Sequence, residues 1–183
     1  MDPQATGQVE LVNDTVINVA ALLRELTGAT RAYRFRLDRF RLDEDLDAVN
    51  VQGTVRLTRL NDAILVSVRA EATVPLECQR CLNEYSQSVQ IVFEEQFRAA
   101  FDVRNGAALD SEIEGLDERP EITENHELDF SEPMRQEIIV EIPMRPVCGE
   151  DCLGPPAFGT DDDEDDRVGF GVLASLLEPD DEK

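Results

Sequence analysis

Apolar and polar positions alternate through most of the chain between residues 31 and 98. In RAYRFRLDRFRL, residues 31–42, Tyr33, Phe35 and Leu37 fall on one face and Arg34 and Arg36 on the other, with Asp38 beside them. That spacing predicts a half-buried strand with a basic outer face. After an acidic turn at Asp43–Asp47, Val49, Val51, Val55 and Leu57 share a face, and Gly53 stands where a bulge or a close backbone contact is expected. Asn61-Asp62 marks a turn. Ile64, Val66, Val68, Ala70, Ala72, Val74 and Leu76 then form one long apolar face opposite Ser67, Arg69, Glu71 and Glu77. The same period carries Cys78 onto the apolar side. Tyr85, Val89, Ile91, Phe93 and Phe97 repeat the alternation. Residues 48–98 therefore read as a three-stranded antiparallel meander, and strands of this length curl.

Helical periodicity appears on either side. Leu11 to Leu26 reads as a short strand or arm and then a helix, with Asn18 as N-cap, an apolar stripe of Leu22, Leu23 and Leu26, and Gly28 as its stop. Glu121 to Phe130 returns as a short strand. Ser131 then caps a helix, EPMRQEIIVEI, in which Met134, Ile138 and Ile142 recur at four-residue spacing with Ile139 alongside. Pro133 is tolerated in a first turn, and Pro143 ends the helix. The expected fold is α+β: a strongly twisted antiparallel sheet or partly open barrel with two or three flanking helices. Residues 1–155 are expected to make a single domain carrying both cysteine knuckles. Residues 1–9 read as disordered and 104–119 as a mobile loop. Residues 156–183 read as an acidic linker, TDDDEDD, and a short C-terminal docking helix, VGFGVLASLLE.

Composition narrows the class. Apolar residues make up 42 % of the 183, enough for a core, but aromatics are 5 % and Trp is absent, so Val, Leu and Ile carry the packing. No apolar run is long enough to span a membrane, and MDPQATGQVE has no basic-then-apolar signal segment, so a cytoplasmic protein is expected. The net charge is −23, and it is uneven: −4 over residues 1–104 and −19 over 105–183. Such a polyanion repels nucleic acid at long range, so RNA contact requires a local basic patch or a basic protein partner. The acidity also serves solubility alone.

The four cysteines form two hooks, Cys78-x-x-Cys81 and Cys148-x-x-x-Cys152, separated by residues 82–147. Each hook can turn two sulfurs toward one point, and two hooks meeting make the tetrahedral S4 geometry that zinc prefers. A metal there would clip distant parts of one fold together. Two other readings stand beside it: buried or unpaired thiols without metal, and a redox-active C-x-x-C. The redox reading wants the pair at a helix N-terminus, whereas Cys78 ends a long strand. Arg34, Arg36, Arg59 and Arg80 are the candidate contacts to RNA or to a partner, against the alternative of solvated surface. The one histidine, His126, lies in a polar stretch. There is no phosphate loop, nucleophile elbow or H-E-x-x-H, and no enzyme is expected.

The segments GTVRLTRL (53–60), VPLECQRCL (74–82), FEEQF (93–97), EIIVEIPMRPVCGEDCLG (137–154) and FGVLASLL (170–177) resemble the bacterial and plastid large ribosomal RNA subunit accumulation proteins, the YceD-like family. The resemblance implies a single α+β domain with no enzymatic activity, and a role in producing or stabilising 23S ribosomal RNA and the large subunit. Its partners would then be ribosomal RNA or a large-subunit assembly intermediate. A rival is an acidic, chaperone-like module for a basic ribosomal protein; a weaker one is a thiol redox protein. Many family members carry a further C-x-x-C after the position of Cys152. Here Pro156 and Gly159 stand there, which leaves Cys78, Cys81, Cys148 and Cys152 as the only possible thiolate set for a structural zinc.

Overall fold

The computed structural model describes residues 10–103, 107 and 119–155. Among them are eight strands and two helices. The strands are β1 (Glu10–Val12), β2 (Val16–Asn18), β3 (Thr30–Arg41), β4 (Asp47–Arg59), β5 (Ala63–Glu77), β6 (Glu84–Ala99), β7 (Glu121–Ile122) and β8 (Glu127–Asp129). The helices are α1 (Ala20–Leu23) and α2 (Ser131–Glu141). Six strands form one sheet in the order β1-β3-β4-β5-β6-β7, and β2 and β8 form a separate antiparallel pair. The large sheet curls into a half-barrel.

The four long strands are an antiparallel meander, as their alternation predicts, with β3 added to the three expected. The edges depart from the antiparallel expectation: β1 runs parallel to β3, and β7 parallel to β6. Parallel neighbours need a crossover, and β2 with α1 supplies one between β1 and β3. The β5 face is buried as its period requires: Ile64, Val66, Val68, Ala72 and Val74 lie in the core, and Cys78 beyond them is fully buried. In β4 the phase changes. The pairing with β5 shifts between Val49 and Gln52, and Asn50 there takes φ 53°. This bulge places Ala48 rather than Val49 on the buried face that Val51, Val55 and Leu57 continue.

The inner face of the half-barrel is closed by the chain that follows β7. Phe130 lies edge-on to Phe35 with ring centroids 5.4 Å apart, and Met134 and Ile138 of α2 are fully buried beside them. Each such side chain stabilises the fold by about 1.5–3 kcal/mol through the apolar area it removes from water. Ser131 does not cap α2. Phe130 occupies the cap position, and the Asp129 carboxylate accepts the Ser131 N–H at 2.9 Å. Ile139 and Val140 are exposed, so the buried stripe is narrower than the sequence suggests. Pro143 ends the helix as expected, with Ile142 turned to ψ 126°.

The first helix is much shorter than VAALLREL predicts. It is a single turn, with the Asn18 side chain accepting the Ala20 N–H at 3.1 Å, and Leu26 stands 87 % exposed. Gly28 takes φ 91° and donates its N–H to the Arg59 carbonyl, which ties the turn to the end of β4. Two helices are therefore present among the described residues, and only α2 is long enough to flank the sheet. The segments expected to be disordered (1–9), a mobile loop (all of 104–119 but Ala107 and Arg119) and a C-terminal docking helix lie outside the described residues. No helix among those described is long and apolar enough to cross a membrane.

Candidate metal centre and arginine positions

The first hook is the turn between β5 and β6. Strand alternation delivers Cys78 to the core side, and the turn closes through Cys78 N–H to the Asn83 carbonyl and Leu82 N–H to the Cys78 carbonyl, both 2.9 Å. Leu82 adopts φ 60°, a left-handed conformation that disfavours a branched residue and is held by these two bonds. The second hook follows α2. Pro143 and Pro146 carry the chain away from the helix, and the Pro146 carbonyl accepts the Gln79 N–H at 2.9 Å. That bond fastens the second hook directly to the first. Gly149, at φ 151°, lets the chain reverse so that Cys152 comes back toward Cys148.

The four sulfurs converge. Cys78 Sγ lies 3.7 Å from Cys152 Sγ, and Cys81 Sγ lies 3.7 Å from Cys148 Sγ. All four are within 4.8 Å of one another. A disulfide needs about 2.05 Å, so none is formed. A tetrahedron with Zn–S of about 2.3 Å has edges of about 3.8 Å. Two edges, each running from one hook to the other, already have that length. The cluster can hold a metal ion.

Electrostatics favour a cation. The backbone N–H groups of Cys81, Arg80 and Cys148 point at Cys78 Sγ and lower its pKa to about 6, against the opposing effect of burial. The Arg80 and Cys148 N–H groups both lie 3.4 Å from that sulfur. Cys148 is pushed up to about 12 by its contacts with the Cys152 and Cys81 thiols and by burial. Four sulfurs this close cannot all carry charge without mutual repulsion, and a divalent cation among them would offset it. The hook is a turn between two strands, so no helix N-terminus supplies the thiol activation typical of redox pairs.

Tyr85, at the start of β6, has its hydroxyl buried with no hydrogen-bond partner among the described residues. Burial, with the nearby Cys78 and Cys148 sulfurs, raises its pKa. A buried hydroxyl without a partner contributes desolvation cost and no bond. Tyr85→Phe is expected to leave metal content unchanged and stability unchanged or about 1 kcal/mol higher. Denaturant midpoints and metal analysis check this; a loss of metal, or of more than about 1 kcal/mol, would show that the hydroxyl serves the cluster.

The four candidate arginines occupy three places. Arg34 and Arg36 are exposed on the outer face of β3, with no side-chain hydrogen bond or ion pair among the described residues. Arg59 is half-buried at the β4–β5 turn, where its guanidinium donates to the carbonyls of Leu60 and Ala63. It holds a turn. Arg80 is exposed on the knuckle, and it meets Cys78 through its backbone N–H. The stretch from Arg69 to Glu77 at the end of β5 spans roughly 26 Å of extended strand, so Arg80 is remote from the Arg34 row. Two further arginines that sequence reasoning did not single out, Arg56 and Arg69, join Arg34 and Arg36. The register places Arg34 beside Thr54 and Thr54 beside Arg69, with Arg56 beside Ser67 in the adjoining row. Alternation along one strand showed each to be outward-facing, but only strand pairing shows them to be neighbours.

A protein-family model described as "Large ribosomal RNA subunit accumulation protein YceD" matches residues 66–177, more than half of the chain. The match takes in both cysteine hooks, and GTVRLTRL at 53–60 precedes it. No curated protein and no solved structure gives a significant match.

Proposed function

Because the chain belongs to the YceD family of large ribosomal RNA subunit accumulation proteins, we propose that it is a non-enzymatic cytoplasmic factor that supports the synthesis, processing or stability of 23S ribosomal RNA and the large ribosomal subunit. The family match is the observation that carries this reading. The site chemistry is consistent with it: the four cysteines sit in a clip between a strand turn and a helix exit, a place suited to holding a binding surface in shape. The ion we propose for this site is Zn²⁺, which Cys78, Cys81, Cys148 and Cys152 would hold, since four thiolates with tetrahedral edges suit zinc and disfavour hard cations.

A second reading has its own support in the charge of −19 over residues 105–183, which suits a basic ribosomal protein. One experiment tests the assembly reading and separates the two modes of contact. The tagged full-length protein is purified from its own cells at low salt after crosslinking, and RNA sequencing and mass spectrometry are read from the same sample. Large-subunit ribosomal RNA and proteins are expected above the small-subunit background. Crosslinks from the sheet arginines to RNA favour direct contact; crosslinks from the acidic half to a ribosomal protein favour the second mode. Recovery of neither ribosomal RNA nor ribosomal protein overturns the assembly reading.

A further inference from the structure

Forty acidic side chains face seventeen basic ones in this chain, yet several arginines have no carboxylate partner among the described residues, and four of them share one face. Arg31, Arg39, Arg98, Arg119 and Arg135 each have one. Arg34, Arg36, Arg56 and Arg69 have neither an ion pair nor a side-chain hydrogen bond among the described residues, and all four are exposed. They share the outer face of β3, β4 and β5. The carboxylates nearby are held by neutral groups: Glu71 accepts from the Gln52 amide at 2.7 Å, and Glu94 accepts from the Ser67 hydroxyl at 2.9 Å. Asp38 accepts from the Asn13 amide at 3.0 Å, and Glu10, in the edge strand, stands opposite Arg34 in the register.

The face is also shaped. At its centre Gly53 brings β4 so close to β5 that a Cβ there would lie 2.4 Å from the Arg69 carbonyl oxygen. A groove of about 470 Å³ beside it is lined by Arg34, Arg36 and Arg69 together with Glu10, Gln52 and Glu71. Arg34 and Arg36 are spaced by about 7 Å along β3, and Arg34 and Arg69 by about 10 Å across two strand intervals. These separations suit neighbouring phosphates of one nucleic acid strand, and guanidinium groups grip phosphate in a two-pronged fashion. The outward positions of these rows carry no aromatic ring: they are Thr54, Gln52, Ser67, Val92 and Gln90 between the charges. Such a surface has no platform for stacking bases, so it grips backbone and does not read sequence.

We propose that the groove lined by Arg34, Arg36 and Arg69 beside Gly53, with Arg56 in the adjoining row of the same face, is a sequence-independent binding site for an RNA phosphate backbone. It rests on the ribosomal-RNA reading above but adds residues to it, and Arg34, Arg36 and Arg56 precede the matched span, so the family match does not imply the site. Arg59 and Arg80 are not part of it.

The test uses the purified full-length protein and fluorescently labelled single-stranded RNA 20-mers, one of uridine only and one of mixed sequence, titrated at several salt concentrations. The wild type is expected to bind both with similar affinity. In R34Q/R36Q/R56Q/R69Q affinity is expected to fall at least tenfold at low salt, and the slope of log K against log salt to flatten by about 0.7 for each phosphate no longer neutralised. R24Q/R145Q, two exposed arginines elsewhere, is expected to retain the wild-type slope. Circular dichroism and melting temperature verify that the quadruple variant is folded; if it is not, the R34Q/R69Q pair is used in its place. Unchanged slope and affinity, or an equal weakening in R24Q/R145Q, overturns the site. Poly-glutamate bound as tightly as RNA, and released by the same variant, overturns the assignment to RNA. Failure here with ribosomal RNA still recovered from cells removes the groove and leaves the assembly reading; failure of recovery from cells with binding intact in vitro does the reverse.

Discussion

Replacing Cys78 with serine is expected to lower the melting temperature by about 10 °C and to reduce bound zinc from one ion per chain to near zero. A change of 1 kcal/mol moves the melting point of a protein this size by roughly 2–4 °C, so this corresponds to roughly 3–5 kcal/mol. The figure is well below the roughly 10–16 kcal/mol that structural zinc supplies to small peptides. The reason is visible in the sheet: β3 to β6 are paired along most of their length without help from the clip, and the core is continuous from β3 to α2. Zinc bound there would therefore contribute the docking of one loop more than the fold itself. Cys78 is chosen because it is the buried ligand and the one on which three backbone N–H groups converge; serine there leaves those donors facing a poorer acceptor. Hydrogen exchange in the variant should rise at the knuckle and at residues 146–152, and stay low in the centre of β5. Chelator should destabilise the wild type and not C78S. Substoichiometric zinc in protein purified without chelator, combined with an unchanged melting temperature in C78S, would contradict the clip.

Gly53→Ala is expected to cost about 3 kcal/mol, at the upper end for overpacking, although it adds one methyl group. The added carbon would meet the Arg69 carbonyl oxygen at 2.4 Å, the Ala70 Cβ at 2.5 Å and the Ala70 Cα at 2.7 Å. Two of these three atoms are backbone, so no side-chain rotation relieves the clash. β4 and β5 must move apart, and with them the paired rows on both faces. Denaturant unfolding measures the destabilisation. A second substitution, Ala70→Gly, removes one of the three clashing atoms and should recover only part of it. Full recovery, or a cost under about 1 kcal/mol in G53A alone, would show that the close approach is not needed. A folded G53A chain with weakened RNA binding would further connect the pinch to the groove.

Much of this protein follows from alternation alone. A period of two over thirteen or more residues assigns an inside and an outside to each position, and it did so for β5 and β6 almost residue by residue, Cys78 included. The candidate metal-ligand set was legible for a related reason: the four cysteines fall in two short hooks, and the backbone needs only to bring the hooks together for all four sulfurs to converge. Helical stretches were harder. VAALLREL has the right spacing for two turns, but Val19, Leu22 and Leu23 satisfy the core and Leu26 has nothing to pack against, so the helix stops after one turn. In β4 the alternation failed at Asn50, because a bulge adds one residue that the sequence does not mark.

What pairing decides, a single strand cannot show. Arg34, Arg36, Arg59 and Arg80 look equivalent along the chain, yet Arg59 is spent on turn carbonyls and Arg80 stands at the far end of the sheet. Arg56 and Arg69 become neighbours of Arg34 only through the register of three strands. The parallel edges β1 and β7 depend on where crossovers let the chain return. The faces of the long strands and the choice of four candidate cysteines rest on period and on chemistry local to the chain, so the residue order suffices for both. That the hooks meet at 3.7 Å, and that these particular arginines share a surface, came only with the folded chain, because both depend on contacts between residues far apart in sequence.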